Sequence, residues 1–407
     1  MDITKVKIST VRYAVTKCEI SSPNLTNNYS VPNDCINEII IDDDFEGFYF
    51  PFFQLNLTLP SWVQRAIKKT PLDIHISFSM QAQYYTDYDN QGDLSPNSTS
   101  VYINKKYIAY IEKQDRSLLD SVLEDVEEGL DYGLKSTDPQ TMEICMFTLY
   151  DEDLLNATGT TVNDIISSGC LIDILTYVLN CAGISNVLMS PPNNYKTYKQ
   201  FILPPISADD HIDRICNDFG IHTNGTLIYF GLDRNYIIDR VPKCTAYGIN
   251  EYQTTYLYYP GEGAESLAMS TGCAKSSTEK TNYILLQPTS FRFTDKSVAA
   301  EAALASDIAV LDHLNGGSGS GGFAIKLGGD NNKSGVLRKV ASFKKTISLG
   351  LRNVDLAMLT PNKNFVVTID DIKHKAYNGS YMLTRCTTTF VKEGNQFTPL
   401  SVCEFRC

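Results

Sequence analysis

The order of local signals between residues 168 and 240 constrains this chain more than any other feature. Apolar residues recur at helical spacing through 171–179, and Gly183 is well placed to end that helix in a left-handed conformation. The proline pairs Pro191-Pro192 and Pro204-Pro205 then favour extended backbone, because a proline restricts the residue before it. The sequence therefore predicts a helix followed by an extended linker.

A second helix and a hairpin are predicted to follow the linker. Ser207 is a good N-cap for this helix, and Gly220 ends it. The apolar stripe of the helix consists of Ile212, Ile215, Cys216 and Phe219. The apolar stretches 227–230 and 236–238 indicate two strands that turn through 233–235. Together these signals predict a helix–helix–hairpin module.

Catalytic signatures do not appear in this sequence. It has no nucleophile with a base and no metal-ligand spacing, and the glycine run 316–322 lacks the Lys-Ser/Thr pair of a phosphate loop. We interpret that run as a flexible loop. His211 and His222 have no cysteine or carboxylate at ligand spacing, so we interpret them as hydrogen-bonded structural residues. We therefore predict no enzyme activity, no catalytic, cofactor-binding or metal-binding residues, and no cofactor.

Charge and composition limit the partners of the protein. The 407 residues carry a formal net charge of −12, which argues against a protein that grips phosphate backbones. The same charge suits a surface that nucleic acid passes without being captured. Tyrosine is frequent, at 24 residues, and its ring and hydroxyl suit half-buried strands and polar interfaces.

The cysteines and the hydropathy indicate a reducing compartment and no membrane anchor. The 11 cysteines are an odd number without a C-x-x-C pair, which favours free thiols over a disulfide framework. Cys403 and Cys407 are the closest pair in sequence and are expected on one face of a strand, but a metal site there needs two further ligands. No run of 18 apolar residues and no secretory signal are present.

The region before the module is predicted to be mainly β. Residues 1–110 contain alternating stretches bounded by turn signals, which favours a barrel or a sandwich. A short helix is predicted at 61–68, an acidic turn at Asp42-Asp43-Asp44 and a long exposed loop at 86–100. A longer helix with one apolar side is predicted at 115–135.

The region after the module is predicted to return to β structure. Short tyrosine-rich β segments occupy 241–295, and 297–314 predicts an Ala-rich helix that leads into the glycine run. Three further stretches predict strands near the end of the chain, at 365–369, 381–390 and 400–405.

Two segments resemble phage tail baseplate hub proteins, the family that includes late-control proteins and the base of type VI secretion spikes. The first, Cys170 to Phe230, is similar in its helix with an Ala182-Gly183-Ile184 turn, its extended segment, its second helix and its hairpin with a Tyr229-Phe230 strand. The second resembles the closing hairpin of hub barrels, in which a strand such as 379–383 precedes a turn such as Phe390-Val391-Lys392-Glu393-Gly394-Asn395-Gln396-Phe397.

This resemblance implies a fold and a domain order. The implied fold is α+β, mainly β, with two tail-tube-like β-barrel domains and an inserted helix–helix–hairpin module. The N-terminal tube-like barrel is expected at 1–150 and the α/β hub module at 151–240. The second tube-like barrel is expected at 241–407, with the Ala-rich helix and the Gly-rich loop inserted in it.

The resemblance also implies a structural virion protein. Three copies of a hub close the distal end of the tail tube, adapt sixfold to threefold symmetry and anchor the spike or tail tip. The expected partners are therefore two further copies, tail tube or distal tail proteins, a spike or tail-tip protein, and genomic DNA that passes the lumen without specific binding. The expected location is the virion tail, after assembly in the host cytoplasm. Because the sequence stops after the closing hairpin, any hydrolase activity is expected on another polypeptide.

Two other functions stay open from the residues alone. One is a tail-associated peptidoglycan hydrolase, which a muropeptide-release assay tests. The other is a receptor- or glycan-binding tail-tip protein, which the tyrosines suggest and a glycan-binding assay tests. The central helical module does not favour the compact lectin-like sandwich that the second function predicts.

Overall fold

The described part of the chain covers most of the predicted elements. The computed structural model describes residues 9–46, 49–85, 96–112, 142–222, 225–239, 254–259, 272–276, 281–286, 291–294, 346–370 and 375–406. The predicted helices at 115–135 and 297–314, the glycine run 316–322 and Cys407 lie outside these residues.

The described residues before the module form seven strands and one helix. The strands are β1 (Thr10–Ser21), β2 (Tyr29–Ser30), β3 (Ile36–Asp44), β4 (Phe52–Pro60), β5 (His75–Tyr85), β6 (Ser98–Ile111) and β7 (Met142–Asp151). Helix α1 (Ser61–Lys68) has the bounds predicted for it. The predicted loop 86–100 is too long, because β6 begins at Ser98 and pairs there with Tyr84 of β5.

The module contains the predicted helices and hairpin together with short strands. Its helices are α2 (Glu152–Gly159), α3 (Leu171–Cys181) and α4 (Ala208–Asp213), and α4 continues into a π-helical turn, Arg214–Asp218. Its strands are β8 (Thr161–Ile166), β9 (Gly169–Cys170), β10 (Val187–Met189), β11 (Thr197–Tyr198), β12 (Phe201–Ser207), β13 (Thr226–Phe230) and β14 (Asn235–Asp239).

The described residues after the module are mainly strands. These are β15 (Thr254–Tyr259), β16 (Gly272–Ser276), β17 (Thr281–Leu285), β18 (Phe291–Thr294), β19 (Thr346–Arg352), β20 (Asn364–Ile369), β21 (Gly379–Glu393) and β22 (Gln396–Arg406). They include the three strands predicted near the end of the chain. The prediction of a mainly β fold is therefore confirmed.

Eight strands close into a barrel. Their order is β3-β4-β7-β6-β5-β1-β22-β21, and β21 pairs with β3 to complete the circle. All of these neighbours are antiparallel, and the joint between β1 and β22 rests on the pair Tyr13 and Phe397. Closure pairs the backbone groups that open sheet edges leave exposed.

The C-terminal hairpin β21–β22 belongs to the barrel and to a second sheet at the same time. β21 pairs with β3 through 385–390 and with β20 through 379–381, while β22 pairs with β19 through 400–406. The second sheet therefore runs in the order β18-β19-β22-β21-β20-β15-β17-β16. The sequence assigned this hairpin to the second barrel alone. Periodicity identifies a strand but does not reveal which remote strand completes its ladder.

The acidic stretch at 42–44 lies in a strand and not in the predicted turn. β3 continues through Asp44, and its ladder pairs Asp42 with Thr387 of β21. The side chains of Arg385 and Thr387 donate hydrogen bonds of 2.6–3.0 Å to the Asp42 carboxylate. These cross-strand donors stabilise charges that a strand ordinarily disfavours.

The module has its own apolar core, built on α3. The helix buries Leu171, Ile174, Leu175, Val178 and Leu179, and Gly183 follows it at a φ of 69°. Such a φ favours glycine, so the predicted helix end is confirmed. Phe219 is half-buried and packs on Phe201, with ring centroids 4.8 Å apart.

The predicted extended linker is partly strand. β12 pairs with β8, and its register shifts between Leu203 and Ile206, where Pro204-Pro205 stand. Proline has no backbone N–H to give to a ladder, which accounts for the irregularity at this point. The linker therefore connects the two predicted helices and also pairs with another strand of the module.

Candidate functional site

The strongest candidate for a functional site is the junction between the first barrel and the module hairpin. A cleft of about 190 Å³ opens there between β3, the β13–β14 hairpin and the segment 356–361. A second cleft of about 240 Å³ adjoins it and shares Asp233, Arg234 and Tyr236. The larger cleft brings the second sheet into the junction through Lys275 and Asn282.

A carboxyl group and a tyrosine from different parts of the chain meet in the first cleft. The Tyr229 hydroxyl donates a hydrogen bond of 2.7 Å to Asp43 Oδ1, and the Tyr229 ring packs edge-on against Phe45 at 4.7 Å. Asp43 is half-buried and lines the cleft. Adjacent residues of a strand point to opposite faces, so Asp43 points to the other face of β3 from Asp42 and Asp44.

Burial raises the pKa of Asp43 to about 7. The hydrogen bond from Tyr229 opposes this rise, whereas the negative charges of Asp233 and Asp42 add to it. The neighbouring Asp42 behaves in the opposite way. Burial acts to raise its pKa, but the hydrogen bonds from Arg385 and Thr387 and the Arg385 charge lower it below the usual value.

The hairpin turn is shaped by a glycine and held by a lysine of the barrel. A Cβ atom at Gly231 would lie 2.7 Å from the Arg234 carbonyl oxygen, so a larger residue does not fit without a backbone shift. Lys105 Nζ, from β6, donates to Asp151 Oδ2 at 2.5 Å and to the Gly231 carbonyl at 3.0 Å. This lysine therefore ties the turn to the barrel wall.

Further polar contacts fasten the module to the barrel. The Phe230 backbone N–H donates to the Tyr49 carbonyl of the barrel at 2.7 Å, and within the module Asn235 Nδ2 donates to Asp153 Oδ2 at 2.7 Å. The Tyr49 hydroxyl donates to Asp213 at 3.1 Å. Because hydrogen bonds are directional, this set fixes the orientation of the hairpin and not only its distance from the barrel.

An ion pair between a buried carboxylate and an exposed lysine connects the second sheet to the barrel. Asp355 is 1% exposed and accepts a hydrogen bond of 2.7 Å from the Tyr84 hydroxyl of β5. Lys275 Nζ, from β16, lies 2.7 Å from the same carboxylate. Burial acts to lower the pKa of Lys275, but the charge of Asp355 raises it overall. Loss of either charged partner leaves the other charge uncompensated.

The two histidines singled out in the sequence lie inside the module core. His211 Nε2 is 2.9 Å from the Pro204 carbonyl oxygen, and His222 contacts the hydroxyls of Ser190 and Thr226 at 2.8 and 3.0 Å. Burial lowers the pKa of His222 and favours its neutral form. Both side chains are thus hydrogen-bonded in the interior, as the sequence predicted.

The sequence did not identify the cleft residues as members of a common site. Asp43 stands in an acidic run that suggested a turn, and Tyr229 and Asp233 stand in a hairpin whose distant neighbours are invisible in the sequence. The described residues contain no group of three or more His, Cys, Asp or Glu suited to a metal. None of the described helices has the length and hydropathy needed to cross a bilayer. The polar groups of the cleft hold parts of the chain in position.

The raised pKa of Asp43 predicts a pH-dependent contribution to stability. Between about pH 4 and about pH 7 the folded state keeps a proton that the unfolded state, with an Asp pKa of 3.8, releases. Stability from this group therefore falls as pH rises through this window. The comparison is the free energy of unfolding of Asp43→Asn minus that of the unmodified protein. We expect this difference to become about 1–3 kcal/mol more favourable to the variant when the pH is raised from about 4.5 to about 7.5, because only the unmodified protein carries the titrating carboxyl group. Denaturant unfolding at both pH values measures it.

The adjacent Asp42→Asn variant is the matched control. The pKa of Asp42 is lowered, so this carboxylate is ionised in both states throughout the same window. The variant loses the bonds from Arg385 at both pH values. Its difference from the unmodified protein is expected to change with pH much less than that of Asp43→Asn, because it removes only the part of the Asp43 pKa rise that the Asp42 charge causes. Other groups, including His222, cancel in these differences. An Asp43→Asn difference that changes with pH no more than that of Asp42→Asn contradicts the raised pKa of Asp43.

Comparison with known proteins gives one family match. The family model described as Bacteriophage PBS1 gene 109 protein matches residues 8–258, which are 251 of the 407 residues. This range runs from the first barrel strand through the module hairpin and includes the segment 170–230 that resembles hub proteins. No curated protein matches the sequence.

Several solved structures follow the chain over nearly its whole length at low identity. A tail protein from Neisseria meningitidis MC58 is 10% identical with a TM-score of 0.39, and covers 97% of this chain and 96% of its own. The prophage MuSo2 43 kDa tail protein from Shewanella oneidensis is 8% identical with a TM-score of 0.41, at 95% and 96% coverage. The E. coli c3393 protein, a type VI secretion component, is 9% identical with a TM-score of 0.41, at 94% and 76% coverage.

The family match agrees with the phage tail resemblance found in the sequence. The match extends over more than half of the chain and names a bacteriophage protein. The expected membership of a bacteriophage protein family is thereby confirmed. This chain belongs to the family described as Bacteriophage PBS1 gene 109 protein.

Proposed function

We propose that this protein is the baseplate hub of a phage tail. In this role three copies close the distal end of the tail tube, adapt its sixfold symmetry to threefold and anchor a spike or tail-tip protein. The observation that carries the proposal is the shared hairpin, β21–β22, which joins an eight-strand barrel and a second eight-strand sheet within one chain. A subunit with two such β units supplies, in three copies, the six units that meet a sixfold ring.

An exposed apolar patch on this hairpin supports contact with another polypeptide. The patch consists of Val391, Leu400 and Val402, which are 41%, 39% and 55% exposed. Leu400 and Val402 alternate along β22 and so share one face, and their ladder partners are Thr389 and Thr387 of β21. Clustered apolar side chains on a sheet surface favour burial against a partner.

The junction suits a part that must transmit force between a tube and a spike. The Tyr229 hydroxyl donates to Asp43 at 2.7 Å and Lys105 Nζ donates to the Gly231 carbonyl at 3.0 Å, and both of these hydrogen bonds link the module to the barrel. Such links resist displacement of the module relative to the barrel. We propose a virion tail location, passage of genomic DNA through an acidic lumen, and no catalytic role for the chain. The net charge of −12 supports the acidic lumen.

The copy number in intact virions tests the proposal. Averaged micrographs of purified tails, with this chain located by a bound antibody fragment, are expected to show three copies at the distal end. Six copies, a single copy, or a location away from the tail contradicts the hub role. The virion is the appropriate sample because mass action weakens assembly of an isolated subunit at low concentration.

A pair of substitutions tests the patch. Val402→Glu is expected to lower incorporation of the protein into tails by about tenfold or more, because a charge buried in a partner contact is strongly unfavourable. Leu72→Glu is the matched control, since Leu72 is 76% exposed and lies outside the hairpin. Quantitative immunoblots of purified virions measure both variants. Equal incorporation of the two variants would show that the patch is not part of the assembly interface.

A further inference from the structure

Two cysteines face each other across the hairpin that both sheets share. Cys386 of β21 and Cys403 of β22 are direct cross-strand partners, and their Sγ atoms lie 3.3 Å apart. Both side chains are buried, at 3% and 0% exposure. The sequence drew attention to Cys403 and Cys407 instead, because spacing along a chain cannot report a partner on another strand.

The backbone at this pair satisfies the distance requirement of a disulfide. Directly opposite residues of an antiparallel ladder have Cα atoms about 4.5–5.5 Å apart, within the range of about 4.4–6.8 Å found across disulfides. The two sulfur atoms must approach by about 1.3 Å to reach bonding distance. Rotation about χ1 moves a sulfur atom by this amount without displacing the strand.

Neighbouring contacts hold the two strands in the register that the bond needs. The adjacent inward-facing pair is Thr388 and Ser401, whose hydroxyl oxygens are 2.8 Å apart. On the other side of the cysteines, the Thr384 hydroxyl donates to the Glu404 carbonyl at 3.1 Å. A register slip would break both contacts, so the cysteines stay opposite each other.

We propose that Cys386 and Cys403 form an oxidation site that takes a peroxide as its co-substrate and yields an intramolecular disulfide. One thiol is oxidised by the peroxide to a sulfenic acid, with reduction of the O–O bond and release of one water from hydrogen peroxide. The second thiol then attacks the sulfenic sulfur. The S–S bond forms, the sulfenic oxygen leaves as a second water, and both thiol protons end in water.

Burial determines which oxidant can act and how fast. Burial raises the pKa of the Cys403 thiol well above its usual value, so the reactive thiolate is scarce and the reaction is slow. A water-sized peroxide suits this enclosed position better than a bulky disulfide reagent. The odd, unpatterned cysteine count still indicates reduced thiols during synthesis.

The consequence for the virion rests on the proposed function, whereas the chemistry of the site does not. A tail hub is made in a reducing cytoplasm and later exposed to an oxidising medium outside the cell. There the bond covalently joins the two strands that belong to both sheets. It closes a loop with a sequence separation of 17 residues, which restricts the unfolded chain.

Peptide mapping of the oxidised full chain tests the proposal. The purified protein is incubated with hydrogen peroxide, its remaining thiols are alkylated in denaturant, and non-reduced peptides are analysed by mass spectrometry. The expected product is one linked peptide pair containing Cys386 and Cys403, with two hydrogens lost. Its thermal midpoint is expected to rise by about 3–4 °C, and a reductant is expected to reverse the rise.

Variants separate this bond from general oxidation. Cys386→Ser and Cys403→Ser are each expected to abolish the linked peptides and the rise in midpoint, whereas Cys181→Ser, at an exposed cysteine, is expected to keep both. Oxidation of the exposed Cys181 shows that the peroxide has reacted with the protein. If Cys386 and Cys403 are still fully alkylated at that point, the proposal is wrong. A disulfide from either residue to another cysteine also contradicts it. Mapping of the unmodified protein decides the matter even if a variant fails to fold. Because no tail is involved, this result is independent of the hub role.

Discussion

Removal of residues 400–407 is expected to leave the protein insoluble and absent from assembled tails. These residues contribute seven cross-strand pairs with β19 and seven with β21. Their loss opens the joint between the barrel and the second sheet and removes the fully buried Phe405 from the core. Unpaired strand edges then become sites for aggregation. Solubility after cell lysis and immunoblots of purified virions measure the outcome.

A point substitution in the same strand is the control for this deletion. Val402→Thr changes a side chain that is 55% exposed and keeps the backbone of β22 intact. The expected change in free energy of unfolding is within about 0.5 kcal/mol, as for other surface substitutions. A deletion variant that is soluble and cooperatively folded would show that the barrel closes without its final strand.

Replacement of Leu175 with alanine is expected to lower the free energy of unfolding by about 2–5 kcal/mol. Leu175 is fully buried in the core of the module, among other side chains of α3 and those of α4. The substitution removes buried methyl groups and leaves a cavity that the packed helices fill only in part. Chemical denaturation of the purified chain measures the loss.

Two further variants calibrate this result. Asn180→Ala changes an exposed residue of the same helix, and the expected effect is within about 0.5 kcal/mol. The loss in free energy of unfolding for Phe219→Ala is expected to lie between those of Leu175→Ala and Asn180→Ala, since Phe219 is only half-buried against Phe201 and Tyr198. Equal effects of Leu175→Ala and Asn180→Ala would contradict the assignment of the buried face of α3.

Local structure was predictable because its causes lie within a few residues. Helix α1 has the predicted bounds, α3 ends before Gly183, and Ser207 precedes α4. The first two follow from helical spacing and glycine conformation. Ser207 holds the predicted N-cap position, but its hydroxyl donates to Asp210 Oδ2 and makes no cap hydrogen bond to the backbone. The strands β13 and β14 were likewise predictable from apolar runs on either side of a turn.

Local rules failed where a distant strand or side chain overrode them. The acidic residues 42–44 continue a strand because Arg385 and Thr387, more than 300 residues away, supply hydrogen bonds. β6 begins inside the predicted loop because β5 offers it a ladder partner. In both cases the stabilising contact joins residues that are far apart in the sequence, so a pattern read from a few neighbouring residues does not reveal it.

The sequence was sufficient to predict the mainly β class, the helix–helix–hairpin order of the module and the resemblance to a phage tail family. Contacts between distant strands were needed to show that β21 and β22 close the first barrel while also joining the second sheet. The fold likewise brings Asp43 to Tyr229 and Cys386 to Cys403. Strand pairing depends on backbone hydrogen bonds that carry no side-chain signature, so the alternating pattern identifies a strand and its buried face but not its partner.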